Sequence, residues 1–519
     1  MASLTDDNAA DGKIFGAGSS ILSGWSTTAV HTNDNSRKGF IMRYSMLVYI
    51  TNMGKTLLDA AGYLQAADNA ALKEELYENG RIMLERIERI LTEHRGDLRS
   101  ASLMERLQNI RRQWETGRTY AALQEELPEW IRRLPGEIDY RVRVAFFAEL
   151  GEKWDSLESV YEFMRDDPRF DPVVVLTPVF RMANVNGEQR QEVIYSDYLT
   201  RLGIPFLGYS QYSLEKDCPD LALICQPYES CTLPQFWPEH IAAHTRLVYI
   251  PYFLTDIVLE QSPKELCQLN VYDVSWRVLG SSQKHYEYYR RYSRCHGQNM
   301  LVTGIPKMDP IIKAAKNGAA LPGGWEKIKD KKVFLWNTWY DISVSSVRFF
   351  NDIFKWFQEH EDCALIWRPH PMTETVTKVH SPEHYSFLQH CIQCVTEAPN
   401  AILDQESSFL ASFVYSDAQF SDLSSMMPQY LPMDKPLLWI DVPVLVPAGE
   451  EFISTEWMEY TDNFQGIIRF LEQIRHGSDP KRELRAIILQ RDLPLADGRC
   501  GERVSLALWK EMHEEDELL

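Results

Sequence analysis

Beyond about Arg141 the chain sets short apolar runs against segments long enough for a helix, and it does so in two rounds. The first round places strand-length runs at 173–176, 204–208, 221–225, 247–250 and 300–303, with helix candidates at 156–165, 190–202 and 284–294. A Gly-rich break at 317–324 follows. The second round places runs at 332–336, 364–367, 401–403, 418–421 and 436–440, with helices expected near 345–359, 382–394, 407–415 and 424–430. Such runs are apolar throughout, which predicts strands buried on both faces, and so a parallel sheet covered by its own crossover helices. The expected fold class is therefore α/β, with two doubly wound parallel-sheet (Rossmann-like) domains joined near residue 320. Ligands of open parallel sheets bind beyond the carboxyl ends of the strands, so chemistry is to be sought there.

The N-terminal part reads differently. Residues 1–40 are rich in Gly, Ser, Asn, Asp and Thr and carry no periodicity, which predicts a flexible tail. From 41 to 140 apolar residues recur at spacings of three and four: Met83, Ile87, Ile90 and Leu91; Leu103, Leu107, Ile110 and Trp114; Leu123, Leu127 and Ile131. A helical module of three or four helices follows, with Pro128 marking a start or a break. Arg residues between 81 and 143 alternate with Glu at helical spacing, so their faces are expected to be solvated and salt-bridged. The division is thus 1–40, 41–140, 141–320 and 321–519, the last closed by C-terminal helices. Gly16-Ala17-Gly18 and Gly54-Lys55-Thr56 imitate nucleotide-binding loops but lack the remaining glycines.

Charge narrows the partners. Lys and Arg number 54 against 74 Asp and Glu, a formal net charge of −20, which opposes binding to a phosphate backbone; nucleic acid is not expected as the main partner. No apolar run approaches the roughly 20 residues of a spanning helix. The first twelve residues are polar and include Asp6, Asp7 and Asp11, unlike a secretory signal. A cytoplasmic protein is expected, with contact at the inner face of the cell membrane left open and the acidic end 511–519 a solvated tail. The nine cysteines are scattered and odd in number, as reduced thiols would be. Cys391 and Cys394 form a C-x-x-C, but no second pair completes a zinc set, so they are assigned to the core and no metal is expected.

Three constellations follow predicted strands. Arg368-Pro369-His370-Pro371 fixes a loop with two prolines and leaves a cation and an imidazole on it, an arrangement suited to a diphosphate; the plain alternative is a Pro-rich turn. Ser421-Asp422-Leu423-Ser424-Ser425 precedes a helix, whose opening amides receive anions, though the same residues also cap any helix. Gly304-Ile305-Pro306-Lys307-Met308-Asp309 allows a sharp turn and offers Lys307 to the cleft, or else simply connects a strand to a helix.

These three stretches, with Ser416-Asp417, Lys435-Pro436 and Asp497-Gly498-Arg499 through Arg503, occur in an order similar to the CDP-glycerol glycerophosphotransferase family of teichoic-acid and capsule synthesis, over roughly 154–508. The resemblance implies a GT-B architecture, an acceptor side in 141–320 and a donor side in 321–519. It implies transfer of a polyol phosphate from a CDP-linked donor to a hydroxyl of a polymer or lipid-linked acceptor, with release of CMP and no cofactor. Carried over by position, Arg368, His370, Ser424 and Ser425 would contact the donor's phosphates, with Asp422 near them and Lys307 beside them; His370 would also take part in catalysis.

Family members commonly carry a Trp-His-Gly element whose His is thought to act as base, whereas this chain has Val248-Tyr249-Ile250-Pro251-Tyr252-Phe253. Tyr252, Asp256 and His244 are replacements by proximity, and a tyrosine with a pKa near 10 is a poor base at neutral pH. Lys307 stands where Arg is more usual. Two other functions stay open: an inverting nucleotide-sugar glycosyltransferase using much the same donor site, and a non-catalytic binding or assembly protein, which the missing His favours.

Overall fold

The computed structural model describes residues 41–66, 68–117, 120–182, 190–252, 264, 267–422, 424–441 and 454–518; the tail expected over 1–40 lies outside them, as does Asp256. Four helices, Tyr44–Ala66, Ala70–Glu93, Ser102–Thr116 and Tyr120–Glu137, form the N-terminal module. Their spacing buries Leu84, Ile87 and Leu91, then Leu103, Leu107, Ile110 and Trp114, then Leu123, Leu127, Trp130 and Leu134. Asn69 caps the second helix by accepting from the amides of Ala71 and Leu72, and Gly117, at φ +60°, ends the third. Pro128 neither starts nor breaks a helix. It sits inside the fourth, because the buried stripe runs through it in register and packing outweighs one missing hydrogen bond. The Arg-rich faces carry ion pairs such as Arg81 with Glu78 and Glu85 and Arg111 with Glu115.

In chain order the strands of the first half are β1 (Met42–Arg43), β2 (Tyr140–Ala148), β3 (Phe170–Leu176), β4 (Val179–Met182), β5 (Arg190–Val193), β6 (Leu207–Gly208), β7 (Leu221–Ile224), β8 (Arg246–Tyr249), β9 (Arg277–Gly280) and β10 (Met300–Val302). They make a parallel sheet in the order β10-β9-β8-β7-β2-β3-β6, with β1 beside β2, while β4 and β5 form a separate antiparallel pair. The second half contributes β11 (Lys332–Thr338), β12 (Cys363–Pro369), β13 (Ala401–Leu403), β14 (Ala418–Ser421), β15 (Leu437–Ile440) and β16 (Glu459–Thr461), in the order β13-β12-β11-β14-β15-β16, every pair parallel. Both orders run outward from a central strand and then reverse. The reversal falls between β2 and β7 in one sheet and between β11 and β14 in the other, and a doubly wound sheet holds its ligand at that point. The two expected parallel-sheet domains are therefore present. Part of the helix expected over 190–202 is strand: β5 takes its start, and only Asp197–Leu202 is helical.

The last helix, Cys500–Glu515, returns to the first half and packs on the helix Glu158–Asp166. Asp309 accepts from the amides of Cys500 and Gly501 at 3.0 and 2.8 Å, so its carboxylate caps that helix from another part of the chain. Arg503 donates to the carbonyl of Thr303 at 2.8 Å. The stretch from Gly304 to Asp309 is thus the seat of the last helix. The acidic end is not a solvated tail: Glu511 and Glu515 each lie 2.7 Å from Arg277, and Asp516 lies 2.8 Å from Arg246. Tyr44 of the first helix donates to the Met512 carbonyl, tying the N-terminal module to the same helix.

Gly501 is required by this docking, since a Cβ there would lie 2.2 Å from the carbonyl oxygen of Ser159. Gly501→Ala should cost about 1–3 kcal/mol through overpacking, read as a lower denaturation midpoint. Gly323→Ala, where a Cβ meets nothing within 4 Å, should leave it unchanged. Equal midpoints would show that the helix does not dock this way.

Candidate functional site

Three parallel strands align the donor-side residues. Asn337 on β11 stands opposite Arg368 on β12 and Ser421 on β14, so Arg368, Asn337 and Ser421 form one row across the reversal point at the carboxyl edge. Arg368 donates to Asp404 at 2.7 Å and to the carbonyls of Glu406 and Ser408 at 2.9 and 3.4 Å. Asp404 is buried and also accepts from the Glu406 amide and the Ser412 hydroxyl. Arg368 thus fastens the loop 404–408, which touches the first half through Ser407 and Arg201 at 3.0 Å. Its guanidinium shapes the wall of the site by holding protein.

His370 follows two residues later. Its Nδ1 accepts from the Met372 amide at 3.1 Å, which leaves Nε2–H as the donor of the neutral ring. The ring lies 5.6 Å from that of Tyr340, which follows β11.

Asp422 is turned inward. It is fully buried, and its carboxylate accepts from the Trp339 amide at 2.9 Å, the Ser345 hydroxyl at 2.5 Å and the Ser346 amide at 3.1 Å. Burial pushes its pKa up, against these hydrogen bonds. Asp422 therefore pins the loop after β11, and its charge is spent on protein donors. Ser424 accepts from the Met426 amide at 3.2 Å, and Ser425 precedes the helix Met426–Tyr430, five residues long. That helix starts two residues later than expected and is too short to develop much dipole, so the serine hydroxyls are the main polar groups at this start. Asn337 Oδ1 is buried with no partner among the described residues.

A second set gathers at the reversal point of the first sheet. Glu149 directly follows β2, and Gln226 lies just beyond β7. Glu149 Oε2 receives Lys153 Nζ at 3.0 Å and Gln226 Nε2 at 3.2 Å, all three residues being buried. Oε1 accepts no hydrogen bond among the described residues. Lys153 Nζ also sits 4.9 Å from the centre of the Tyr252 ring. Lys307 is buried in an ion pair with Asp155 at 2.7 Å. Glu149, Lys153, Asp155 and Lys307 all act electrostatically on the buried Cys225, whose thiol burial pushes up to about 12. Lys307 and Tyr252 therefore belong together on the first-half side, and Lys307 does not join the donor-side residues.

Burial drives the Tyr252 phenol further above its ordinary range, which disfavours its phenolate and its use as a base. His244 precedes β8 and so lies at the opposite, amino-terminal edge of the sheet. His285, after β9, is pushed down to about 4 by burial, and its Nδ1 accepts from the Ser281 amide at 3.2 Å. Its Nε2 then holds the proton, and the ring is no base.

Sequence reasoning missed Glu149, Lys153, Gln226, Tyr340 and Asn337. The available signal was a carboxylate immediately after an apolar run, at 142–148, that the strand assignment had passed over.

A cavity of about 330 Å³ is lined by Glu158, Glu162, Pro310, Lys313 and Leu410. Burial, then repulsion from Glu162 and Asp155, pushes Glu158 up to about 7 from 4.5. Ionising it costs the fold nothing below 4.5 and the full penalty above 7. Glu158→Gln should therefore raise the melting temperature at pH 8 and leave it unchanged at pH 4; equal shifts at both would contradict this. Asp404→Ala leaves Arg368, 11% exposed in its side chain, without its carboxylate, and should cost about 3–5 kcal/mol in thermal or denaturant unfolding. A loss below 1 kcal/mol would mean the pair is not formed.

Known structures share the architecture. S. aureus MnaA with UDP matches at 11% identity with a TM-score of 0.50, covering 73% of this chain and 97% of that one. A protein from Listeria monocytogenes described as a UDP-N-acetylglucosamine 2-epimerase matches at 12% identity with a TM-score of 0.51, covering 72% and 97%. At such identities the likeness shows the fold alone, a GT-B-like pair of parallel sheets. The wall teichoic acid polymerase TagF matches at 12% identity over 80% of this chain and 99% of that one, with a TM-score of 0.47, too low to carry an inference. No curated protein matches the chain. The family model of CDP-glycerol:poly(glycerophosphate) glycerophosphotransferase matches residues 258–510, a narrower stretch than the resemblance read from 154, and one that takes in every donor-side residue but neither Glu149 nor Tyr252. Over that stretch, just under half of the chain, the protein is similar to the glycerophosphotransferases that the family model describes.

Proposed function

We propose that the protein moves glycerol phosphate, or a related phosphopolyol, from a CDP-activated donor to a hydroxyl of a cell-surface polymer precursor, using Glu149 as the base that family members find in a His. The observation that carries the donor half is the alignment of the matched residues on one carboxyl edge, with the His370 loop and the Ser424-Ser425 turn flanking the central strand β11. Neutral donors there, His370 Nε2–H and the two serine hydroxyls, suit a diphosphate, and Arg368 contributes by holding the loop beside them. The acceptor oxygen attacks the phosphorus bearing the polyol, the bond to the CMP oxygen breaks, and the hydroxyl proton passes to a carboxylate. Glu149 supports that role because Lys153 and Gln226 occupy only Oε2, leaving Oε1 to meet the hydroxyl.

The reading calls on no metal, since the leaving phosphate is met by protein donors. The acceptor is expected at the inner face of the membrane, reached from the cytoplasm by a local contact or a partner, since a net charge of −20 opposes adsorption to anionic lipid. No helix among the described residues is long and apolar enough to cross a membrane.

Purified protein given CDP-glycerol and a polyol-phosphate acceptor should release CMP. Glu149→Gln should lower kcat by about 10²–10⁴-fold with little change in KM for the donor, and His370→Ala should abolish CMP release while the circular dichroism spectrum stays unchanged. Nucleoside diphosphate release from nucleotide sugars would select a glycosyltransferase instead. Donor binding without turnover would select an assembly role, and undiminished turnover in Glu149→Gln would remove Glu149 from the reaction.

A further inference from the structure

Two histidines and a glutamate converge at the amino-terminal edge of the first sheet, away from the carboxyl edge that bears Glu149. Glu215 lies in the short helix Leu214–Asp217, before β7. His240 lies in the helix Pro238–Ala242, and His244 follows it, before β8. The Nε2 atoms of His240 and His244 stand 3.8 and 3.6 Å from Glu215 Oε1. One ligand atom from each residue falls within 4.8 Å of the other two.

Bonds on the far side of two of these groups fix their orientation. His244 Nδ1 lies 2.8 Å from the His240 carbonyl, which can only accept, so Nδ1 carries the hydrogen and Nε2 keeps its lone pair. The Ser213 hydroxyl donates to Glu215 Oε2 at 2.6 Å, leaving Oε1 toward the imidazoles. A hydrogen bond on the outer atom of each ligand is how proteins set metal-binding histidines and carboxylates. The imidazole rings are 4.7 Å apart, centre to centre.

We infer that His240 Nε2, His244 Nε2 and Glu215 Oε1 bind one divalent transition metal of the zinc type, with water completing the shell. Two imidazoles and one carboxylate suit zinc and its neighbours, whereas magnesium and calcium prefer oxygen alone. Tetrahedral zinc with bonds of about 2.0–2.1 Å holds its ligand atoms about 3.4 Å apart. The two Glu–His separations are already near that value, and small side-chain rotations bring the imidazoles to it. The side chains are 57%, 38% and 28% exposed for Glu215, His240 and His244, so the ion enters without unfolding. Bound metal ties the segment before β7 to the segment before β8 and braces two neighbouring strands of the first sheet. It stands off the reaction path.

The test uses the untagged full chain, stripped with a chelator and titrated calorimetrically with zinc chloride and with magnesium chloride. One zinc per chain should bind that is absent from the His240→Ala/His244→Ala variant, magnesium should not bind there, and zinc should raise the melting temperature of the parent only. Glu215→Gln should weaken that site by about tenfold, and CMP release should be the same in parent and variants. Thiols elsewhere can also take zinc, so the difference between parent and double variant decides. Equal zinc stoichiometry in the two, or no saturable binding in the parent, overturns the assignment.

Discussion

Parallel pairing on both sides of β11 is the constraint on which the donor side depends. A strand held by β12 on one edge and β14 on the other must bring the residues after all three to the same end of the sheet, in a register that sets Arg368, Asn337 and Ser421 in line. The reversal of strand order leaves the crevice there, and His370 and Ser424 flank it. The first sheet repeats the logic around β2, and places Glu149 where its own order reverses. Neither arrangement needs a special loop; each follows from right-handed crossovers feeding buried strands.

Buried carboxylates then give the loops their shape. Asp404 anchors Arg368 and the loop after β13, Asp422 pins the loop after β11, and Asp309 caps the last helix from across the fold. Each is satisfied by several donors, which is the condition under which a charge is tolerated away from water. Residues that the sequence marks as ligand contacts therefore divide into two kinds: those tied to distant parts of the chain and those bonded to amides nearby. Arg368, Asp422 and Lys307 are held by protein partners far along the chain, whereas the His370 ring and the Ser424 hydroxyl each receive an amide from two residues on.

Much of the second half was legible in the sequence, since its strands are apolar runs with clear turns: 401–403 and 418–421 fall on β13 and β14 residue for residue. β2 was not legible, because it opens Tyr140-Arg141-Val142-Arg143 directly after a helix and its apolar part begins late. With the strand went Glu149, whose significance depends on following it. The partners of Arg368 and Asp422 are 36 and 76 residues distant, and no local pattern announces a contact of that separation. Glu215, His240 and His244 show why a metal set can escape a reading tuned to cysteine pairs: the His-x-x-x-His spacing is visible, but the carboxylate comes from a different helix.

The most direct measurement of the central claim is a crystal structure of the full chain with CDP-glycerol bound. The account predicts the diphosphate at the carboxyl edge of the second sheet, within hydrogen-bond distance of His370 Nε2 and the hydroxyls of Ser424 or Ser425. It predicts the glycerol-bearing phosphorus turned toward Glu149. A donor bound elsewhere, or a diphosphate gripped by an Arg368 that has left Asp404, would contradict it.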